Sequence, residues 1–155
     1  MKNVQNKIQA LSAYINQSAL VSPEVSAVSV GWHIEHSLLV IKQITSTVAQ
    51  SDPKLFKQKF NFNRLWVFLF HYFPRGKAQA PKVVIPNSEL TIQALEDSIK
   101  HTYQALDYLK DCQPNQYFMH PFFGQLNRNQ TIHFLSIHTK HHLKIIKDII
   151  ASNGN

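Results

Sequence analysis

The chain has 155 residues, of which 44% are hydrophobic, enough for one domain with a full core. Its formal charge is +7, yet the basic residues are scattered with no run of three. That argues against nucleic-acid binding and leaves solubility or an anionic small substrate as the meaning of the charge. No apolar run reaches the roughly 18 residues of a membrane span, and the lone Cys112 excludes an internal disulfide and a thiolate zinc site within one chain.

The segment from Met1 to Lys7 lacks the apolar stretch of a secretory leader, so a cytoplasmic location is expected. Val4, Ile8, Leu11, Ile15 and Ala19 recur at helical spacing and predict a first helix over about Asn3 to Leu20. Ser22-Pro23 breaks it, and a short helical turn at Glu24–Ala27 follows. Ser29 is a suitable N-cap for a second helix from Val30 to Gln50. On that helix Trp32, His36, Leu39 or Val40, and Ile44 share one face, so His36 occupies a position normally given to leucine.

Asp52-Pro53 opens a third segment that runs to Phe73 and is rich in rings: Phe56, Phe60, Phe62, Trp66, Phe68, Phe70, Tyr72 and Phe73. Its helix should begin properly near Phe62, and its rings suit a core or a dimer surface better than a cofactor box. Pro74 to Lys77 reads as a turn, and Ala78 to Pro86 as an extended crossover. A fourth helix is predicted from Ser88, as its cap, to Cys112, with Ile92, Leu95, Ile99, Thr102, Leu106 and Leu109 inward and His101 solvated. The loop Gln116 to Gly124 is unusually apolar for a loop and should cover one end of a helical bundle. Asn127 and Gln130 form a capping-box pattern ahead of the last helix.

That last helix, Gln130 to Ser152, carries Leu135, His138, His142, Ile145 and Ile149 on its inward stripe. His138 and His142 lie one turn apart on one face, close enough to share a metal ion. A buried imidazole needs a hydrogen-bond partner or a metal. His36 is the natural third ligand, His33 its competitor, and His141 the competitor of His142. No glutamate follows His138, which excludes the zincin pattern. No paired Glu-x-x-His set exists either, which argues against a di-iron carboxylate bundle.

Ser29-Val-Gly-Trp-His-Ile-Glu-His36, His138-x-x-x-His142 and the loop His120-Pro-Phe-Phe-Gly124 together resemble the DinB/YfiT-like superfamily, in particular a branch that carries a His-Pro-x-Phe-Gly loop. The likeness spans nearly the whole chain. It implies an all-α fold, a DinB-like four-helix bundle, in one domain over residues 1–155; the segments themselves add an extra short helix and a long crossover connection. It also implies one divalent metal ion, zinc or nickel, on His36, His138 and His142, and it implies a homodimer; three imidazoles can hold iron as well. Characterised members of the superfamily include thiol S-transferases that use small thiols.

The functional expectation is therefore a metal-dependent enzyme with a small-molecule substrate, transferring a low-molecular-weight thiol to an electrophile or carrying out a hydrolysis. His120 and His33 are the candidates for general base or supporting partner of the metal ligands. Trp32, Tyr117, Phe122 and Phe123 are the candidates for the substrate pocket and its dry cover. The alternative is a non-catalytic bundle that binds metal or a partner through its aromatic third segment. Neither nucleic acid nor membrane is expected as a partner.

Overall fold

Two caps fix the helices that matter most. At Ser29 the side-chain oxygen accepts from the Trp32 amide at 3.2 Å, while the Val30 and Gly31 amides donate to the carbonyls of Leu20 and Ser18 at 2.9 and 2.8 Å. The orphan donors of the helix's first turn are thereby satisfied. At Asn127 the side chain accepts from the Gln130 amide at 3.0 Å, and the Gln130 side chain accepts from the Asn127 amide at 3.1 Å. That reciprocal pair is the predicted capping box.

The computed structural model describes residues 1–72, 81–86 and 89–154. Its helices are α1 (Lys2–Ser12), α2 (Val30–Gln50), α3 (Phe62–Phe70), α4 (Ile92–Asp111) and α5 (Arg128–Asn153). Strands β1 (Tyr117–His120) and β2 (Gly124–Asn127) form an antiparallel hairpin between α4 and α5, with Phe118 opposite Leu126. The fold is the expected all-α bundle, here of α1, α2, α4 and α5 with the short α3 beside them, and the hairpin is its only sheet among the described residues.

Side-chain contacts give the helix directions. Lys42 Nζ donates to Ser98 Oγ at 2.9 Å, and Gln116, just past α4, donates to the Ala49 carbonyl at 2.8 Å. The helices α2 and α4 therefore run the same way, and residues 51–91 form the long crossover between them. His33 meets His142, while Ser51 at the far end of α2 meets Tyr117, the register partner of Asn127 at the start of α5. Hence α2 and α5 are antiparallel. Four helices close a ring in which α2 touches α4 and α5, and α1 touches the same two, while α3 lies outside against α5.

The core takes Val4, Ile8 and Leu11 from α1, Ile34, Leu38, Ile41 and Val48 from α2, Leu95, Leu106 and Leu109 from α4, and Leu135, Ile146 and Ile149 from α5. Each such side chain contributes about 1.5–3 kcal/mol on burial. Because α2 is covered by its neighbours on several sides, almost every residue from Val30 to Leu38 is buried, with Trp32 half-buried. That is why His33 joins His36 inside, although the stripe pointed to His36 alone.

Several predicted boundaries move. The first helix ends at Ser12, and a 3₁₀ turn, Ile15–Gln17, keeps Ile15 buried while turning the chain so that Ser18 and Leu20 can meet α2; Ala19 is exposed. In the linker, the Val25 and Ser26 amides bond back to the Ser22 carbonyl. In the third segment Asn61 caps α3 at the predicted start near Phe62. Only Val67 of that helix is buried, so most of its rings face outward and are not core. The extended reading of Ala78 to Pro86 gives way to a 3₁₀ turn at Lys82–Val84 that buries Val84. Ala78 to Ala80, the predicted cap Ser88, Phe73 and the turn from Pro74 to Lys77 lie outside the described residues. Thr91 caps α4, its hydroxyl accepting from the Ala94 amide at 3.1 Å. His101 is exposed as expected, whereas Ile92 is exposed and Ser98 takes an inward place. The apolar loop is a hairpin whose inward residues, Phe118, Phe123 and Leu126, are buried.

Candidate metal centre

Antiparallel packing of α2 on α5 brings His36, His138 and His142 together. One ring nitrogen from each lies within 4.8 Å of the others. The ring centroids of His36 are 5.3 Å from His138 and 4.7 Å from His142, and those of His138 and His142 are 4.6 Å apart. His36 and His142 are buried, and His138 keeps a little exposure. His141 points beside the group, its ring edge-on to His142 at 5.2 Å.

His36 and His142 are held from behind. His36 Nδ1 donates to the Val84 carbonyl at 2.8 Å, which leaves Nε2 as its ligand atom. His142 Nδ1 lies 3.0 Å from His33 Nδ1, and His33 Nε2 lies 3.0 Å from Ser26 Oγ. One assignment of protons satisfies this chain with neutral rings: His142 Nδ1–H donates to His33, and His33 Nε2–H donates to Ser26. His142 Nε2 is then also left as a lone pair. Metal-bound histidines characteristically have the second nitrogen tied in this way.

The electrostatics favour the neutral, ligand-competent form. Burial pulls His36 below the ordinary histidine value, with the Val84 hydrogen bond opposing. His138 is pulled well below it by burial first, then by His36, His141 and His120. His142 is lowered likewise, by burial first and then by His138, His36, His33 and His141. Three imidazoles that resist protonation, from two rigid helices, form a donor set that fits a divalent ion of the zinc, nickel or iron type and leaves coordination positions open.

The walls differ in part from expectation. Trp32 stacks on His36 at 4.8 Å with an interplanar angle of 12° and meets His33 edge-on at 5.4 Å, so it flanks the centre. Phe134, one turn before His138, stands 5.8 Å from it. Behind Phe134 lie His120 and Phe123, at centroid distances of 4.9 and 6.2 Å. His120 Nδ1 accepts from the amides of Phe122 and Phe123 at 3.1 and 3.2 Å, and its ring stacks on Phe123 at 4.2 Å. With that lone pair occupied, His120 clasps the hairpin turn instead of offering a base. Burial lowers its pKa to about 4.

Phe123 is core, and Phe122 is largely exposed. Tyr117 packs on Phe56 at 6.0 Å, and its amide donates to Ser51 Oγ at 2.8 Å. Ser51 is fifteen residues past His36, about 22 Å along α2 at about 1.5 Å per residue. Tyr117 thus belongs to the opposite end of the bundle and is no wall of the centre.

Sequence reasoning missed the Val84 carbonyl, Ser26 and Phe134. Phe134 had a signal, since it precedes His138 by four on the same stripe. A backbone carbonyl from an irregular turn has none.

No curated protein and no solved structure matches the chain. A family model described as DinB superfamily matches residues 10–146, a span that holds all five helices in whole or part together with His36, His138 and His142. The chain belongs to the DinB superfamily.

Proposed function

We propose that His36, His138 and His142 hold one divalent metal ion, zinc or nickel with iron as a third choice, and that the centre serves a thiol S-transferase or hydrolase acting on a small molecule. The observation that carries this reading is the donor set itself: three neutral imidazoles with ligand atoms within 4.8 Å, two of them braced through Nδ1. A bound ion would supply Lewis acidity, lowering the pKa of a thiol or water beside it.

The chain's own part is to orient and to exclude water. Trp32 and Phe134 present apolar surface on either side of the histidines, which favours a compact apolar substrate and strengthens local electrostatics. His33 positions His142 and, through Ser26, gives its ring a fixed proton pattern. In the transfer reaction a thiol loses its proton, its sulfur bonds to an electrophilic carbon, and the leaving group departs with the bonding pair. In the hydrolytic reading water takes the place of the thiol.

The exposed rings of α3 support pairing of two copies. Phe62, Leu65, Trp66, Leu69 and Phe70 are each more than half exposed, and apolar patches of this extent usually mark an interaction surface. A cytoplasmic setting suits a free Cys112, and no helix among the described residues is long and apolar enough to cross a membrane.

The test is a screen of zinc- and nickel-loaded protein with small thiols and alkylating electrophiles, reading the carbon–sulfur adduct by mass spectrometry. Adduct formed faster than without protein, and lost in His138→Ala, supports the transferase. No adduct or hydrolysis, together with a cobalt-substituted spectrum that thiols leave unmoved, would favour the non-catalytic metal-binding bundle.

A further inference from the structure

The side of α5 turned away from the metal centre carries a second cluster of titratable groups. A surface cleft of about 580 Å³ lies between the start of α1, the end of α3 and this outer face, lined by Lys2, Lys7, His71, His133, Ser136 and Lys140 among others. Its volume is that of a small-molecule site. None of the described residues that line it is a carboxylate.

The cations are crowded; Lys7 Nζ donates to the Asn3 carbonyl at 3.3 Å, a neutral acceptor. Burial and then the Lys140 ammonium pull Lys7 below the ordinary lysine value. Opposite them, His71 Nε2 and His133 Nε2 stand 3.1 Å apart. His133 is held flat against Phe68 at 4.7 Å, with an interplanar angle of 17°. Burial and then His71 lower its pKa, with a hydrogen bond to the Phe68 backbone opposing. His71 sits in the left-handed region with φ 50° at the C-cap of α3, where glycine is the cheaper residue. That conformation carries the imidazole at the edge of the cleft.

Two ring nitrogens at this separation would also suit a divalent cation, but three lysines around the cleft repel one. An oxyanion reverses the sign: it relieves the Lys7–Lys140 repulsion and accepts from the ammonium and hydroxyl donors together, with the His71–His133 pair, one Nε2 donating to the other, at its edge. Phosphate, with a double charge and several acceptor oxygens, uses this donor set more fully than a single carboxylate does.

We propose that this cleft binds the phosphate group of a phosphorylated small molecule, held by Lys2, Lys7 and Lys140 with His71 and His133. The site is separate from the metal centre and does not rest on its occupancy.

The test uses the full chain, stripped of metal with chelator and dialysed. Inorganic phosphate and glycerol phosphate are titrated in at constant ionic strength, and the amide and imidazole resonances are followed by NMR. Saturable shifts centred on His71 and His133 are expected. Affinity should fall about tenfold or more in Lys7→Gln/Lys140→Gln, the loss of charge-assisted hydrogen bonds, while the remaining spectrum shows the fold intact. Co-sedimentation with phosphatidylcholine vesicles, with and without phosphatidic acid, separates the sources of phosphate. Binding to free phosphate esters but not vesicles supports a soluble ligand. Sensitivity of vesicle binding alone to the double substitution would transfer the site to a lipid headgroup and overturn the small-molecule assignment. No saturable shift, an affinity unchanged by the double substitution, or shifts of these two rings by zinc ion and not by phosphate would overturn the site.

Discussion

His33 and His142 meet through their Nδ1 atoms at 3.0 Å, and this contact ties the first turns of α2 to the middle of α5. It leaves His142 with a second ring nitrogen for a ligand and gives His33 a structural task beside the three-histidine cluster. Replacing His33 with alanine should weaken metal affinity about 10–100-fold, as loss of such outer partners does. His33→Gln, which can still accept from His142, should recover part of it. Competition with a chromophoric chelator measures both. An affinity unchanged in His33→Ala would mean that the contact does not orient His142.

Acid should destabilise the metal-free protein through His120. Its folded pKa is lowered from 6.5 to about 4 by burial, so between those values the unfolded chain binds a proton that the folded chain does not. Stability contributed by the neutral ring is intact above pH 6.5 and falls as pH drops towards 4. Urea denaturation across this window should show a gentler decline in His120→Phe than in the wild type. Parallel curves would remove His120 as a source of the acid sensitivity.

Gly31 is fixed by proximity. A Cβ at this position would stand 3.0 Å from Ser18 Cβ and 3.1 Å from the Ser18 carbonyl oxygen, which already accepts the Gly31 amide. Alanine is worth about 1 kcal/mol over glycine inside a helix, but overpacking against backbone costs about 1–3 kcal/mol. Gly31→Ala should therefore be destabilising by about 1 kcal/mol in denaturant melts. A stabilised variant would show that the Ser18 turn yields freely.

The outer face of α3 should govern self-association. Trp66 and Leu69 are 54% and 67% exposed and lie three residues apart on that face. Substituting both with glutamate should leave secondary structure unchanged and convert a dimer to a monomer in sedimentation velocity. Equal sedimentation of wild type and variant as dimers would move the interface elsewhere.

The parts legible in the sequence were those set by local chemistry. Ser29 and the Asn127–Gln130 pair announced their helices because a cap and its first turn are adjacent in the chain. His138 and His142 stood out because leucine positions on a stripe should not be polar. The hairpin was hidden because four-residue strands are too short to show alternation, although Gly124, with φ 70°, marks its turn. The rings of α3 implied burial, but an apolar pattern does not say whether the same chain covers it. Val84 and Ser26 reach the site only through the tertiary path of the chain, and a carbonyl has no sequence signature. The basic cleft assembles residues from α1, α3 and α5 that look like ordinary solvated charges when read in order.

The central claim is that His36, His138 and His142 hold one metal ion. Elemental analysis of untagged protein, purified without a metal column, tests it most directly when wild type is measured beside His138→Ala and His36→Ala. About one equivalent is expected in the wild type and little in either variant. Absence of metal from all three, or full retention in His36→Ala, would contradict it.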